Sequence, residues 1–312
     1  MRTELDAGAF ALATAEVRDG IEIAYLREGV GGYPLVLLHG WPETKRIWWR
    51  NIGPLAAAGF EVIVPDLRGF GDSGLAADGH YDIAAHSRDV EALVRGTLGH
   101  DRCAAVGGDL GGAVVQDLGL RFEGLIERQI IFNTLLPRVP DAYAAAAIEV
   151  PGGPREVGPG DYFLRQGREA DQLSTELDTA AKRRRYVGEF YGHRLWGAPG
   201  AFDDAAVDFM TEPFGDAAHL RAGWGNYEAA VRARPSSERP RLFEIGAVPT
   251  LALYGPEDHV IPTSFPAMCE VAFAELVGPF IVAGAGHFLQ WERADLLNQT
   301  LRYFLADRIR PK

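Results

Sequence analysis

Cysteine and long apolar runs are both scarce in this chain of 312 residues. The two cysteines, Cys103 and Cys269, lie far apart and show neither the pattern of a disulfide framework nor the spacing of a zinc site. No apolar stretch approaches the length that crosses a membrane, and the N-terminus lacks the charged and then apolar pattern of a signal peptide. We therefore expect no metal site, no membrane partner and a cytoplasmic location.

Basic residues are outnumbered, with 31 lysines and arginines against 43 aspartates and glutamates and a net charge of −12. This balance disfavours nucleic acid or an anionic membrane surface as a partner. The basic run at residues 182–185 is therefore better interpreted as the solvated face of a helix than as a polyanion site. The length suits one large domain, or a core with one sizeable insertion.

Short apolar runs alternate with longer amphipathic segments along most of the chain. Residues 34–38 (Pro-Leu-Val-Leu-Leu) are apolar throughout, as in a strand that is buried on both faces. Residues 20–28 alternate like an exposed antiparallel strand. Further strands are predicted at 61–65, 102–107, 128–132, 249–254 and 278–282, and helices at 83–98, 110–122 and 291–305. The pattern predicts an α/β fold with a doubly wound, mostly parallel sheet.

The rhythm breaks after about residue 136 and resumes at Val248. The intervening stretch has no buried-strand run, and glycine and proline cluster at residues 151–160. We predict a core formed by residues 1–136 and 245–312. Residues 137–244 are predicted to form a helical cap, inserted after the sixth core strand and lying over the carboxyl edge of the sheet.

An apolar strand runs into residues 107–111, which read Gly-Gly-Asp-Leu-Gly. This is the nucleophile-elbow pattern, with Asp109 in the position that serine usually occupies. Flanking glycines are needed because the elbow backbone is strained and the neighbouring strand and helix approach closely. An aspartate that caps a helix would give a similar local pattern. The glycine spacing does not match a dinucleotide fingerprint, and no cofactor is predicted.

Two further motifs occur in the order that an elbow requires. Residues 39–42 (His-Gly-Trp-Pro) follow a buried strand, where the backbone N–H of Trp41 can join that of Leu110 in binding an oxyanion. His287 lies in a glycine-rich turn after the last predicted strand. The order of nucleophile, acid and histidine then requires an acid before His287.

The acid is expected where the strand before that one ends. Residues 255–258 (Gly-Pro-Glu-Asp) offer two carboxylates, and Asp258 is preferred because the acid usually stands three residues past the strand-ending glycine. Glu257 is the alternative. The end of the earlier strand, at Asn133, carries no carboxylate. Asp66 and Asp72 are assigned a structural role in a turn at the sheet edge.

From about Ala15 to Leu305 the chain resembles the epoxide hydrolase branch of the α/β-hydrolase superfamily. The resemblance implies that Asp109 is a nucleophile, His287 a general base and Asp258 the acid that orients it. It also implies a small-molecule epoxide as substrate, a vicinal diol as product and, by analogy, a possible homodimer.

Members of that branch place two tyrosines in the cap that donate to the epoxide oxygen. Residues 160–166 and 224–229 resemble the two tyrosine segments, which assigns this role to Tyr162 and Tyr227; the alternative is that both are packed aromatics. The resemblance also suggests residues that line the substrate pocket, namely His39, Pro42, Phe163, Trp224 and Phe288.

The chain departs from the branch on both sides of Asp109. Gly108 stands where histidine is usual, and Leu110 stands where tryptophan is frequent. A haloalkane or haloacid dehalogenase, which uses the same aspartyl ester, is the nearest alternative. Leu110 offers neither the indole N–H nor the arginine that those enzymes carry there. An esterase is disfavoured because acyl transfer to a carboxylate gives an anhydride, and a non-catalytic binding protein because the nucleophile, acid and histidine are all present.

Overall fold

The buried strands form one eight-stranded sheet in the computed structural model, which describes residues 5–18, 20–150, 161–192 and 196–309. The strands are β1 Leu12–Arg18, β2 Ile21–Glu28, β3 Tyr33–Leu38, β4 Phe60–Pro65, β5 Cys103–Gly108, β6 Ile126–Thr134, β7 Thr250–Tyr254 and β8 Leu276–Ile281. Their order is β1-β2-β4-β3-β5-β6-β7-β8. Strand β2 is antiparallel to β1 and β4, and all other neighbouring pairs are parallel.

Helices flank the sheet or lie between β6 and β7. They are α1 Ile52–Ala57, α2 Ile83–Glu91, α3 Asp109–Arg121, α4 Pro140–Ala145, α5 Asp161–Arg168, α6 Ala170–Glu176, α7 Ala180–Gly192, α8 Asp204–Thr211, α9 Ala217–Gly223, α10 Gly225–Ala230, α11 Phe265–Ala272, α12 Leu289–Glu292 and α13 Ala294–Phe304. Short 3-10 helices occur at Lys45–Trp48 and Glu212–Gly215, and a π-helical turn at Ala92–Thr97 continues α2.

The predicted fold class is confirmed. Strands β4 and β5 are buried along their whole length, as expected of central strands that are covered by helices on both faces. Between β6, the sixth strand, and β7 the described residues form helices α4 to α10, which we call the helical insertion, and no strand. The domain boundaries at 137 and 244 remain predictions.

Strand β2 differs from its prediction. It is antiparallel as expected, but Glu22 is its one exposed residue. The chain after β4 runs along β2, where the Gly74 N–H donates to the Glu22 carbonyl (2.8 Å) and the Ser73 side-chain Oγ accepts the Ala24 N–H (2.9 Å). The sequence interpretation also missed β1, which pairs with the other edge of β2.

Candidate active site

Asp109 lies where β5 ends and α3 begins, at the carboxyl edge of the sheet. Its φ of 44° is in the left-handed region, which strains a residue with a side chain. A Cβ at Gly107 would lie 2.5 Å from the Gly111 carbonyl carbon, and one at Gly111 would lie 2.3 Å from the Leu38 oxygen. The close approach predicted for an elbow is therefore present. The helix-cap alternative is wrong, because the residue that caps α3 is Gly108.

The loop after β3 meets the Asp109 carboxylate. The Trp41 backbone N–H donates to Asp109 Oδ1 over 2.8 Å, which is the contact expected of an oxyanion donor. Gly40 permits this approach, since a Cβ there would lie 2.5 Å from the Asp109 Cβ. Leu110 is buried directly after the elbow residue, and the role of its N–H remains a prediction.

His287 bridges two carboxylates. Its Nδ1 lies 2.8 Å from Asp258 Oδ2, and its Nε2 lies 3.4 Å from Asp109 Oδ2. The preferred acid is thus the one in contact, whereas Glu257 is exposed. The other oxygen of Asp258 accepts the backbone N–H groups of Val260 (2.7 Å) and Ile261 (3.2 Å). The acid is therefore held by its own loop as well as by the histidine.

The protonated form of His287 is strongly favoured. Burial by itself would lower the pKa of the imidazole, but the carboxylates of Asp258 and Asp109 outweigh it and raise that pKa well above its ordinary value. An imidazolium between two carboxylates is the resulting resting arrangement. Loss of charge on Asp109 would remove one of the two stabilising partners.

Asn133 is a site residue whose role sequence reasoning missed. Its amide nitrogen donates to Asp258 Oδ2 over 2.7 Å and to the Gly255 carbonyl over 3.1 Å, while its own oxygen accepts the Gly255 N–H over 2.8 Å. It also reaches the Gly286 carbonyl, next to His287, at 3.3 Å. One side chain at the end of β6 thus ties together the loops that carry the acid and the histidine. Its position at a strand end was the available signal.

Glu43 is a second missed residue, although it directly follows the His-Gly-Trp-Pro motif. It is buried, accepts the Gly40 N–H over 2.6 Å and accepts the Gln290 amide over 2.9 Å. Burial, with a contribution from the Asp109 charge, raises the pKa of Glu43 to about 7. This group therefore changes charge near neutral pH beside the Asp109 loop.

The helical insertion brings Tyr162, from α5, and Tyr227, from α10, together over this edge. Both are buried, and their ring centroids lie 5.8 Å apart. The Trp41 ring stacks on Tyr162 (5.9 Å) and meets Tyr227 edge-on (5.5 Å). Burial, with contributions from Tyr162 and from the negative charge of Asp109, raises the pKa of Tyr227 well above its ordinary value. That phenol stays protonated at neutral pH.

Trp196 was not singled out in the sequence, yet it joins the two halves of the site. It is fully buried, and its ring centroid lies 4.8 Å from that of His287 and 4.9 Å from that of Tyr162. Its backbone oxygen accepts the His287 N–H over 2.7 Å. No motif surrounds this tryptophan, so only the tertiary contacts reveal it.

The suggested pocket residues lie near the site, and their contact with substrate remains a prediction. Phe163 packs on Tyr227 (5.0 Å), and Phe288 packs on His287 (5.2 Å). The remaining three show contacts that shape the surrounding structure: both ring nitrogens of His39 meet backbone groups, the Pro42 carbonyl accepts the Tyr191 hydroxyl, and Trp224 packs near Tyr186.

Gly108, the departure before the nucleophile, has a packing explanation. A Cβ at this position would lie 2.3 Å from the Phe132 ring. Phe132 is fully buried and packs against Trp48, with ring centroids 6.2 Å apart. The aromatic ring on β6 therefore occupies the space that a side chain at position 108 would need.

Neither a metal-ligand cluster nor a membrane-spanning helix occurs among the described residues. Residues 5–18, 20–150, 161–192 and 196–309 contain no group of three or more His, Cys, Asp or Glu side chains arranged to hold a metal ion. Within the same ranges no helix has both the length and the apolar character needed to cross a bilayer.

Comparison with known proteins places this geometry in a family. A family model described as the alpha/beta hydrolase fold matches residues 33–294. A soluble epoxide hydrolase from Corynebacterium sp. (strain C12) is 41% identical, but over only 38% of this chain and 40% of its own. Epoxide hydrolase A from Mycobacterium tuberculosis (strain ATCC 25618 / H37Rv) is 28% identical over 92% of this chain and 95% of its own.

Two further likenesses mark the breadth of the family. A fluoroacetate dehalogenase from Burkholderia sp. is 27% identical over 89% of either chain. The solved structure of the epoxide hydrolase CorEH without ligand superposes with a TM-score of 0.81 at 23% identity, covering 96% of this chain and 99% of that one. With the family model spanning most of the sheet and the elbow, the chain belongs to the α/β-hydrolase fold family.

Proposed function

We propose that the protein is an epoxide hydrolase that converts an epoxide into a vicinal diol through an ester on Asp109. The observation that carries this proposal is the position of one carboxylate, whose Oδ1 accepts the Trp41 N–H (2.8 Å) while its Oδ2 lies 3.4 Å from His287 Nε2. The tyrosine pair of the helical insertion packs against the same Trp41. The epoxide hydrolase names among the relatives support the same activity.

The first half-reaction opens the epoxide. Asp109 Oδ2 forms a bond to one epoxide carbon, and the bond between that carbon and the epoxide oxygen breaks. The departing oxygen takes a proton from Tyr162 or Tyr227, which leaves a tyrosinate and a hydroxyalkyl ester. Proton donation is needed because an alkoxide is a poor leaving group, and a phenol of pKa about 10 or above carries that proton at neutral pH.

The second half-reaction hydrolyses the ester. His287 Nε2 takes a proton from water, and the hydroxide adds to the ester carbonyl carbon of Asp109. The oxyanion develops at Oδ1, where the Trp41 N–H already lies. When the adduct collapses, the diol oxygen leaves with the proton from His287. The proton on the regenerated Asp109 carboxyl passes to His287 and restores the resting imidazolium, so that one water is consumed for each diol formed.

The electrostatics of His287 match this order of events. While Asp109 is charged, two carboxylates hold the imidazole protonated, and it cannot act as a base. Esterification neutralises Asp109, so the pKa of His287 falls, the imidazolium releases its proton through solvent to the tyrosinate, and the neutral imidazole becomes able to accept a proton from water. Formation of the ester on Asp109 therefore activates His287 as the base for the hydrolysis step that comes next.

A dehalogenase is the second candidate. The indole N–H groups of Trp41 and Trp196, which lie beside Tyr162, are buried and, like those of the other four tryptophans, have no hydrogen-bond acceptor within the described part of the chain. A departing halide needs such donors. Leu110 still lacks the donor or the arginine that dehalogenases carry after the nucleophile, and no leaving-group proton would then be required from the tyrosines.

A substrate panel and a single turnover test the proposal. We expect the enzyme to form diols from styrene oxide and other apolar epoxides and to release no halide from haloalkanes or fluoroacetate. With enzyme in excess over epoxide in ¹⁸O-water, the first diol should carry an unlabelled oxygen from Asp109. Label that appears in the first diol would show direct attack by water, and halide release without diol formation would establish the dehalogenase. If the wild-type protein binds epoxide without turning it over, and the Asp109→Ala variant binds it equally well, a binding role would be indicated instead.

A further inference from the structure

Glu292, at the end of α12, takes no part in the reaction steps proposed above, but it binds the loop that carries His287. Its carboxylate accepts the backbone N–H groups of Gly286 and of Phe288 (3.2 Å), the residues on either side of the histidine. The Ala198 N–H also donates to it. Charge-assisted bonds of this kind are about twice as strong as neutral ones, and one carboxylate holds three donors here.

The same carboxylate joins the loop to the helical insertion. The His287 N–H donates to the Trp196 carbonyl over 2.7 Å, and a Cβ at Gly286 would lie 2.6 Å from that oxygen and 2.7 Å from the Ala198 nitrogen. The loop and the 196–198 segment are thus in van der Waals contact along their backbones. Neither can shift alone while Glu292 binds both.

We propose that Glu292 is a positioning residue that fixes the His287 imidazole between Asp109 and Asp258 by holding the backbone on both sides of the histidine. The proposal rests on the function proposed above, because it concerns the step in which His287 activates water. Loss of one acceptor oxygen would leave buried N–H groups unsatisfied and allow the loop to relax. Burial raises the pKa of Glu292, and the three backbone donors oppose that rise.

The two half-reactions should respond differently. Ester formation needs the Asp109 carboxylate and the tyrosines, none of which Glu292 contacts in the interactions described. Ester hydrolysis needs Nε2 of His287 aimed at a water beside the ester, and a misplacement of about 1 Å can cost about 100-fold in rate. A displaced imidazole would therefore slow hydrolysis selectively.

The test is Glu292→Gln in the full chain, with rapid-quench intact-mass measurement of ester formation and decay on a single epoxide substrate. We expect decay to slow by about 10- to 100-fold while formation changes by less than about threefold. The ester should accumulate, and kcat and KM should fall together. A variant that merely loses active fraction would lower kcat and kcat/KM equally and leave KM unchanged, and that result would overturn the proposal.

Glu61→Gln is the matched control. Glu61 is buried and, like Glu292, accepts a backbone N–H, that of Gly31 (2.8 Å), but it lies on β4 away from the loop. Its variant should keep both half-reaction rates. If Glu292→Gln does not fold, as judged by circular dichroism, Glu292→Asp is measured in the same way, because the shorter side chain cannot reach all three donors. Wild-type enzyme that forms no ester would contradict the proposed function itself, whereas an ester that the folded variant hydrolyses at the wild-type rate would contradict only the role of Glu292.

Discussion

The sheet edge and the helical insertion contribute to the site in contrasting ways. At the sheet edge the groups are charged, and each is held by hydrogen bonds, as Asp258 is by Asn133 (2.7 Å) and by two backbone N–H groups. The insertion contributes aromatic rings, Tyr162, Tyr227 and Trp196, which are held mainly by packing around Tyr162, with one hydrogen bond between the two phenols. In the proposed reaction, the proton transfers therefore involve side chains that hydrogen bonds fix in place, whereas the fit to substrate would depend on ring contacts that can repack. Substitutions in the two regions should differ accordingly.

The largest effect is expected at the sheet edge, from Asp109→Ala. Without the carboxylate no ester can form, so kcat for diol formation should fall by at least about 10⁴-fold. Thermal stability should change little, because alanine keeps the strained backbone conformation, and the removal of a charge beside Glu43 is offset by the loss of the contacts with His287 and with the Trp41 N–H. Steady-state diol assays and a melting curve provide the measurement. Turnover within tenfold of wild type would show that the carboxylate is not the nucleophile.

The next effect tests the insertion through its phenols. Tyr162→Phe and Tyr227→Phe should each slow ester formation by about tenfold, because one donor remains, and the double variant by about 10²- to 10⁴-fold. Ester decay should change little, which is the reverse of the pattern expected at Glu292. Rapid-quench kinetics separate the two rates. Equal losses in both half-reactions would mean that the rings only pack.

A smaller effect is expected where the two regions meet. Trp196→Phe keeps an aromatic ring on His287 and Tyr162 but leaves a partial cavity, so unfolding free energy should fall by about 1–3 kcal/mol. The ratio of turnover of bulky to small epoxides should rise, because phenylalanine leaves more space between His287 and Tyr162 than tryptophan does. Urea unfolding and a size series of terminal epoxides measure both. An unchanged size preference would show that Trp196 does not limit the size of the substrate.

The smallest effect concerns pH. The pKa of Glu43 is raised from 4.5 to about 7, so the folded state holds a proton that the unfolded state has lost between these values, and stability falls as pH rises through about 7. Glu43→Gln should abolish this pH-dependent loss, which amounts to at most about 3 kcal/mol of unfolding free energy. Urea unfolding of wild type and variant at pH 5, 6, 7 and 8 gives the difference directly. Parallel curves for the two proteins would show that Glu43 does not titrate in this range.

The sheet edge was largely predictable because its groups occupy short local motifs at strand ends. Asp109, Asp258 and His287 each follow a recognisable strand, and the sheet brings the strand ends together. Asn133 could not be assigned in the same way, because its partner Asp258 is 125 residues away. Strand β1 was missed because none of its residues is fully buried: exposed positions alternate with half-buried ones, so its apolar pattern is weak.

The insertion was less predictable, since ring packing leaves no spacing rule in the sequence. The role of Tyr162 and Tyr227 was predicted from a resemblance to a family, and no pattern in the sequence pointed to Trp196. The coupling of Gly108 to Phe132, on a neighbouring strand, likewise depends on tertiary contact. Polar bonds between a side chain and the loop that carries it follow from local sequence more readily than contacts between distant rings do.

The most direct test of the central claim is to trap the ester in a His287→Ala variant. Without the base, an apolar epoxide should convert the folded variant to a stable one-to-one adduct whose mass increase equals that of the epoxide, with the modification on Asp109 in peptide mapping. A folded variant that gives no adduct, or an adduct on another residue, would contradict the account.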